Sequence, residues 1–211
     1  MPNVVQRSCL FVAFWLTPLA GLGAQTAVPA QTEADEYTRY ELLAPGSAKF
    51  RIRYDVTATT PGAQFFFNPI RKGSEATDEA VFDPATGAAL RFEIVDGATA
   101  RASGLPSADL DTRYIKVELP RPVPAQGEIR IRIDKTYRDP KSYYEENGQI
   151  VFARSLGIKR NAVVLAAGFE LIGSNFPAQV LTEADGRTLI SFINAGPDPV
   201  SLVVRGRRLT P

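Results

Sequence analysis

Residues 49–56 read KFRIRYDV, and apolar and polar side chains alternate along them without a break. Every second residue from Phe50 onward is apolar and falls on one face of an extended chain, because successive side chains of a strand point to opposite sides. Residues 129–134, IRIRID, repeat this alternation. A period of two predicts strands with one buried face and one solvated face.

The same period recurs from Tyr37 to the C-terminus. Asn147-Gly148 and Asp185-Gly186 separate neighbouring runs, and both pairs suit the left-handed conformations of tight hairpin loops. Further strands are predicted at 90–94, 114–119, 149–154, 161–166, 169–173, 179–183, 188–194 and 200–207. Short strands about every 8–12 residues, separated by glycine turns, predict an all-β, antiparallel sandwich, and we favour an immunoglobulin-like one. Helix is predicted only in the N-terminal leader, and residues 96–111 are predicted to form a mobile loop.

Residues 1–24 have the layout of a secretory signal peptide: a single basic residue, Arg7, then an apolar run that ends in small residues at Ala24. We expect cleavage near Ala24, and an uncleaved membrane anchor is the alternative. Residues 25–35, QTAVPAQTEAD, are predicted to be a flexible spacer. The protein is therefore expected in the periplasm or outside the cell. Membrane contact is expected only through residues 1–24, if the leader stays in place.

Residues 36–211 are predicted to form one continuous β-sandwich body. Two packed subdomains, 36–138 and 143–211, are the alternative, because the first of these segments alone contains about seven predicted strands. The connecting residues 139–142, DPKS, are short for a linker between independent domains.

The composition excludes most of the catalytic mechanisms that enzymes use. The 211 residues include no histidine, and the single cysteine, Cys9, lies in the leader, so no Ser-His-Asp triad, Cys-His pair or histidine-ligated metal can form. Asp109 and Asp111 lack the further ligands and the glycine of a calcium loop, so no metal site is predicted. Without Arg7, the 24 basic residues become 23 and balance the 23 acidic ones, which argues against nucleic acid. We predict no enzymatic activity and no cofactor.

Two sets of aromatic residues are candidates for the surface that contacts a partner protein. Alternation along the run 65–67, FFF, turns Phe66 to the face opposite its neighbours, where it is exposed unless both faces are covered. Tyr143 and Tyr144 lie close to the Asn147-Gly148 turn, and their hydroxyls suit a partly solvated interface, where they can form hydrogen bonds. The sequence therefore predicts Phe66, Tyr143 and Tyr144 as interface anchors.

Three stretches after residue 117 carry a recurring layout of strands and turns: ELPRPVPAQGEIRIRIDKTYRD at 118–139, GQIVFARSLGIKRNAVVLAAGFELIGSN at 148–175, and ISFINAGPDPVSLVVRGRR at 190–208. This layout resembles uncharacterised secreted bacterial proteins with immunoglobulin-like β-domains. More distantly, it is similar to the N-terminal β-domain of the large zinc aminopeptidases. The zinc-binding helix motif of those peptidases, with its two histidines, is absent, so the resemblance implies a scaffold or binding domain without peptidase activity.

These observations together predict a non-catalytic exported β-sandwich that binds a protein partner, for example as an extrinsic accessory or stabilising subunit of a membrane complex. A ligand- or carbohydrate-binding module is the alternative function. The sole tryptophan, Trp15, lies in the leader, which counts against a stacking platform for a sugar.

Overall fold

A computed structural model of the protein describes residues 30–209, and the predicted leader lies outside this range. The described residues form fourteen strands and one short helix. The strands are β1 (Glu33–Leu42), β2 (Lys49–Ala58), β3 (Phe65–Ile70), β4 (Glu75–Phe82), β5 (Phe92–Asp96), β6 (Arg113–Glu118), β7 (Ile129–Arg138), β8 (Tyr143–Glu146), β9 (Gln149–Leu156), β10 (Arg160–Val164), β11 (Phe169–Ser174), β12 (Gln179–Thr182), β13 (Thr188–Ile193) and β14 (Val200–Arg208); the helix is α1 (Gly97–Ala102). Within the described range, no helix has the length and apolar character needed to cross a membrane.

The strands form three sheets, and the chain is an all-β sandwich. The largest sheet has seven strands in the order β12-β13-β10-β1-β2-β7-β4, and it takes strands from both sides of residues 139–142. A four-stranded sheet has the order β11-β14-β9-β8, and a three-stranded sheet the order β3-β6-β5. Neighbouring strands are antiparallel, except for the parallel pair β1 and β10.

One main core lies between the seven-stranded sheet and the two smaller sheets. The predicted apolar face of β2, which begins at Phe50, is buried, and so is the face of β7 that contains Ile131. Phe152 of the four-stranded sheet and Ile115 of the three-stranded sheet belong to the same cluster of buried side chains. The alternation therefore identified the buried faces of β2 and β7 correctly.

A second, smaller core corrects the predictions that residues 96–111 form a mobile loop and that helix occurs only in the leader. The segment contains α1, whose N-cap is Asp96: its side chain accepts a hydrogen bond of 2.7 Å from the Thr99 backbone N–H. Ala100 of the helix is fully buried and packs in a cluster with Phe67 of β3. Helix α1 therefore covers the face of the three-stranded sheet that points away from the main core.

Some strand boundaries also differ from the prediction. Strand β1 begins at Glu33, inside the segment predicted as a spacer, so residues 33–35 of that segment belong to the sandwich. Gln31 precedes it and is held in place by Phe67, because its amide donates to the Phe67 carbonyl at 3.0 Å and accepts from the Phe67 N–H at 2.8 Å. Strand β5 begins at Phe92, two residues later than predicted.

The predicted hairpin at Asn147-Gly148 is confirmed. Both residues have positive φ angles, 51° and 75°, and they connect the paired strands β8 and β9. This conformation twists in the same sense as the flanking strands, and it favours asparagine followed by glycine because both residues tolerate a positive φ.

Candidate functional site

Three polar side chains occupy positions at which the strand pattern places buried apolar residues. Lys135 follows Ile133 by two residues on the inner face of β7, and Arg154 follows Phe152 by two residues on the inner face of β9. Asn68 lies on the side of β3 that faces the main core. With two residues of the β7–β8 connection, they form what we call the buried polar cluster: Lys135, Arg154, Asn68, Asp139 and Ser142.

The charge of Arg154 is neutralised by Asp139. The two side chains are 6% and 8% exposed, and Arg154 Nη1 lies 3.2 Å from Asp139 Oδ2. The same carboxylate oxygen accepts hydrogen bonds from Ser142 Oγ at 2.7 Å and Ser74 Oγ at 3.1 Å. Burial would raise the pKa of Asp139, but the hydrogen bonds from Ser142 and Ser74 and the charge of Arg154 outweigh it and hold this pKa below its usual value. The Asp139 carboxylate is therefore ionised near neutral pH and supplies the counter-charge for Arg154.

Aromatic rings surround the guanidinium of Arg154. Its Cζ lies 5.8 Å from the ring centroid of Tyr40, 5.4 Å from that of Phe50 and 5.5 Å from that of Tyr137. The faces of these rings attract a cation and partly replace the water that it loses on burial. Burial is nevertheless the largest influence on Arg154 and lowers its pKa.

Lys135 has no carboxylate within ion-pair distance in the described residues. Its Nζ donates to Asn68 Oδ1 at 2.5 Å and lies 5.1 Å from the ring centroid of Tyr137. Burial, followed by repulsion from Arg154, lowers the pKa of Lys135 to about 7, while the more distant carboxylate of Glu79 acts in the opposite direction. A lysine with such a pKa is partly a neutral amine at physiological pH, and a neutral amine is a nucleophile.

A basic cleft opens beside the buried polar cluster. It has a volume of about 320 Å³, and its lining includes Arg71, Lys72, Lys141 and the edge of Arg154. Arg71 is anchored there, because its Nη1 donates to the Ser155 carbonyl at 3.1 Å. The excess of positive charge makes this cleft attractive to anions.

The structure does not place the three predicted anchors together on a surface. Phe66 is 1% exposed because the main core covers the face of β3 on which it lies, and its neighbour Phe67 packs on the other face against α1. Tyr143 is also 1% exposed; its hydroxyl donates to the Leu43 carbonyl at 2.9 Å, and burial, with the charge of Glu145, raises its pKa to about 12. Tyr144 is half-buried. The expected exposure of Phe66 and Tyr143 is therefore corrected.

Asp109 and Asp111 form a salt-bridged turn. Asp109 Oδ1 accepts a hydrogen bond from the Asp111 backbone N–H at 2.9 Å, and Lys72 Nζ lies 3.0 Å from Asp109 Oδ2. The backbone hydrogen bond, followed by the contact with Lys72, lowers the pKa of Asp109. Among residues 30–209, no group of three or more histidine, cysteine, aspartate or glutamate residues could hold a metal ion.

Strand β12 is the one edge strand of the described sheets that carries neither a charged residue nor a proline. The described sheets end in six edge strands, and five of them carry a charged residue or a proline: Glu75 in β4, Glu93 in β5, Glu145 in β8, Glu170 in β11 and Pro69 in β3. Charges and prolines on an edge strand hinder pairing with a further strand. Strand β12, QVLT, has neither, and its register with β13 shows no bulge. All four of its residues are exposed.

Apolar side chains accompany this free edge. Val180 and Leu181 of β12 are 53% and 45% exposed, and Ile193 of the neighbouring β13 is 61% exposed. Leu181 lies opposite Leu189 of β13, which is part of a small apolar cluster on the outer face of the large sheet. The edge therefore combines unpaired backbone groups with exposed apolar side chains.

No family model and no curated protein matches the chain. Solved structures similar to it include an M1 zinc metallopeptidase from Deinococcus radiodurans, at 12% identity and a TM-score of 0.49, covering 82% of this chain and 41% of that one. A mutant of a two-domain M1 zinc metallopeptidase bound to L-arginine has 14% identity, a TM-score of 0.49 and the same coverage. An aminopeptidase N family protein from Idiomarina loihiensis has 9% identity and a TM-score of 0.49, covering 82% of this chain and 29% of that one. The chain spans less than half the length of each of these proteins.

Proposed function

We propose that this protein is a non-catalytic β-sandwich that binds a protein partner by accepting an extended segment of that partner along β12. The observation that carries the proposal is the free edge of β12, the one edge strand of the described sheets without a charge, a proline or a bulge. Addition of a strand to such an edge is a common mode of peptide recognition, because the backbone of the edge strand supplies ready hydrogen-bonding groups.

The backbone of β12 offers the required groups. The Glu183 N–H donates to the Arg187 carbonyl at 2.9 Å, which closes the hairpin between β12 and β13. Opposed residues of an antiparallel pair alternate between hydrogen-bonded and non-bonded, so Leu181 is bonded to β13, whereas Val180 and Thr182 direct their N–H and C=O groups away from it. Those two residues supply the donors and acceptors for an incoming strand.

The side chains favour a partner segment with alternating apolar residues. Leu181 and Ile193 lie on the outer face of the sheet, and Val180 lies on the opposite face of β12. An added strand places its own side chains alternately on these two faces, and apolar ones there remove exposed apolar surface from water.

The remaining parts of the proposal rest on the sequence and on the strand pairing. Export to the periplasm or the cell exterior is supported by the composition of residues 1–24, and a membrane complex is one setting for the partner. The non-catalytic role is supported by the absence of histidine from the sequence. The immunoglobulin-like form of the sandwich is supported by the predominance of antiparallel strand pairs.

Photo-crosslinking in the organism that makes the protein tests the docking site. A photoreactive phenylalanine analogue replaces Leu181 in one strain and Leu110 in another; Leu110 is also exposed, at 55%, but lies in the 109–111 turn. We expect one discrete protein adduct at position 181, at least tenfold above the amount at position 110. Equal adducts at both positions, or none at position 181, would refute the proposal.

Val180→Pro is the variant that tests the mode of binding. Proline removes the outward N–H of residue 180 and leaves the hydrogen bonds between β12 and β13 intact, because proline is tolerated where the N–H of an edge strand faces solvent. We expect this variant to melt at nearly the wild-type temperature and to lose the adduct at position 181. An undiminished adduct would show that the partner binds without strand addition.

A further inference from the structure

Lys135 and Asn68 are in direct contact inside the sandwich, although they lie on strands of different sheets. Lys135 belongs to β7 of the seven-stranded sheet, and Asn68 belongs to β3 of the three-stranded sheet. The Nζ atom of Lys135 lies 2.5 Å from Asn68 Oδ1, and the lysine residue is only 6% exposed. A buried amine beside a half-buried carboxamide therefore bridges the two layers of the sandwich.

A third polar residue faces this contact from β4. The register between β4 and β7 shifts between Thr77 and Ala80, so that two residues of β4, Asp78 and Glu79, together oppose Lys135. Val81, two residues after Glu79, is buried against the core, and alternation therefore turns Glu79 to the same inner side. Bulges of this kind re-aim a side chain, and they occur frequently next to active sites.

We propose that Lys135 and Asn68 react with each other to form an intramolecular isopeptide bond between β7 and β3. The carbonyl carbon of an amide lies about 1.2 Å from its oxygen, so an amine in contact with Asn68 Oδ1 lies close to Asn68 Cγ as well. Reacting atoms held about 3–3.5 Å apart in a fixed orientation react as if at very high concentration.

The chemistry balances without an oxidant or a co-reactant. The neutral amine of Lys135 attacks Asn68 Cγ, the Nζ–Cγ bond forms, and the Cγ–Nδ2 bond breaks. The attacking nitrogen loses a proton, the leaving nitrogen gains one, and ammonia is released. Glu79 is assigned the transfer of this proton, because the bulge in β4 places it opposite Lys135 on the inner side of the strand. The lowered pKa of Lys135 supports the first step, because only the unprotonated amine is nucleophilic.

The product would be a covalent cross-link between two side chains, in a part of the chain that has no disulfide. Residues 30–209 include no cysteine, so no disulfide can form among them. The isopeptide bond would close the chain between residues 68 and 135 and tie the three-stranded sheet to the seven-stranded one. Such a cross-link restricts the unfolded chain as a disulfide does, but it is not sensitive to reduction.

The intact mass of the purified, folded chain tests the proposal. We expect a mass that is lower than the sequence mass by one ammonia, and a proteolytic digest with one branched peptide that contains both Lys135 and Asn68. Lys135→Met and Asn68→Ala each remove one reacting group and should restore the full mass of the variant sequence. A folded wild-type chain with the full sequence mass and no branched peptide would overturn the proposal.

A matched variant distinguishes this reaction from loss of ammonia at Asn147, and the branched peptide distinguishes it from cyclisation of an N-terminal Gln25, which also releases ammonia. Asn147 precedes Gly148, a pair at which an asparagine can cyclise with release of ammonia, so Asn147→Ala is the control and should keep the mass deficit. A deficit that disappears in Asn147→Ala and persists in Asn68→Ala would overturn the proposal. Lys116 of β6, a half-buried lysine whose Nζ lies 2.8 Å from Glu93 Oε1, serves as the second control: Lys116→Met should still cross-link.

Asn68→Asp keeps the proposal testable if the other variants do not fold. A carboxyl group at position 68 has nearly the same shape, and its reaction with Lys135 releases water in place of ammonia. We expect the mass deficit to change from one ammonia to one water in this variant, and a folded Asn68→Asp chain with neither a water deficit nor a branched peptide would overturn the proposal. Glu79→Gln should yield the uncross-linked chain, and complete cross-linking in that variant would refute the role assigned to Glu79.

Discussion

Arg154 illustrates what a charged residue needs in order to lie between two sheets. A guanidinium loses several kcal/mol of hydration free energy on burial, on the order of the attraction that one well-placed carboxylate returns. Asp139 supplies this carboxylate at 3.2 Å, and Ser74 and Ser142 fix its orientation by hydrogen bonds. The attraction between the two charges therefore offsets their loss of hydration only while both partners are present.

Removing one partner should consequently lower the free energy of unfolding strongly. We expect Arg154→Ala to lower the free energy of unfolding by about 3–5 kcal/mol, because it leaves the carboxylate of Asp139 buried without a counter-charge. The matched control is Arg207→Ala, which removes an even shorter contact, with Glu170 at 2.6 Å, on the surface, where the two side chains are 66% and 41% exposed. This control should change stability by about 1 kcal/mol or less. Urea titration measures both variants, and similar losses in the two would mean that Arg154 is solvated.

The sequence predicts single residues well where alternation and hydrophobicity agree. Phe50 and Ile131 are buried as predicted, because each lies in an unbroken apolar stripe. The same period of two also places Lys135 and Arg154 on inner faces, but a charged residue is ordinarily solvated. Their burial depends on Asn68 and Asp139, which alternation alone does not bring into contact with them.

At the scale of elements, α1 was not predicted because it lacks a helical pattern of apolar residues. Its six residues, GATARA, are too few to show a period of 3.6, and its stability comes from the cap at Asp96 and from the burial of Ala100. The sequence feature that points to it is an aspartate three residues before a threonine, and that spacing also occurs in loops.

The close approach of α1 to the turn that follows it provides a test of this packing. A Cβ atom at Gly97 would lie 2.1 Å from the Asp109 carbonyl oxygen and 2.6 Å from Leu110 Cα, both backbone atoms that cannot move independently. We expect Gly97→Ala to destabilise the protein by about 1–3 kcal/mol, the usual cost of forcing extra atoms into a packed region. Gly173→Ala is the control, since nothing lies within 4 Å of its added methyl group. Thermal unfolding compares the two, and an unchanged melting temperature for Gly97→Ala would contradict the observed contact.

At the scale of the whole molecule, composition and turn spacing were sufficient to predict an all-β sandwich, whereas the pairing of distant strands was not predictable. Alternation shows which face of a strand is buried but does not identify its neighbour. The parallel pair of β1 and β10 joins residues 37–41 to residues 160–164. No local sequence pattern indicates that strands so far apart in the chain are neighbours. The burial of Phe66 has the same origin, because it depends on packing in the main core, to which strands of all three sheets contribute.

This long-range pairing leads to a prediction for the halves of the chain. Residues 30–138 alone would lose β10 from the edge of β1 and also lose Phe152, whose ring lies 5.3 Å from that of Tyr40 in the core. Because a domain folds alone only when it has a core of its own, we expect the isolated fragment 30–138 to show no cooperative thermal transition by circular dichroism. Fragments 30–138 and 139–209, produced together, supply every strand and should recover such a transition as a complex. A cooperative transition of 30–138 alone would instead establish the first subdomain as an independent folding unit, because its strands would then have closed a core without β9 and β10.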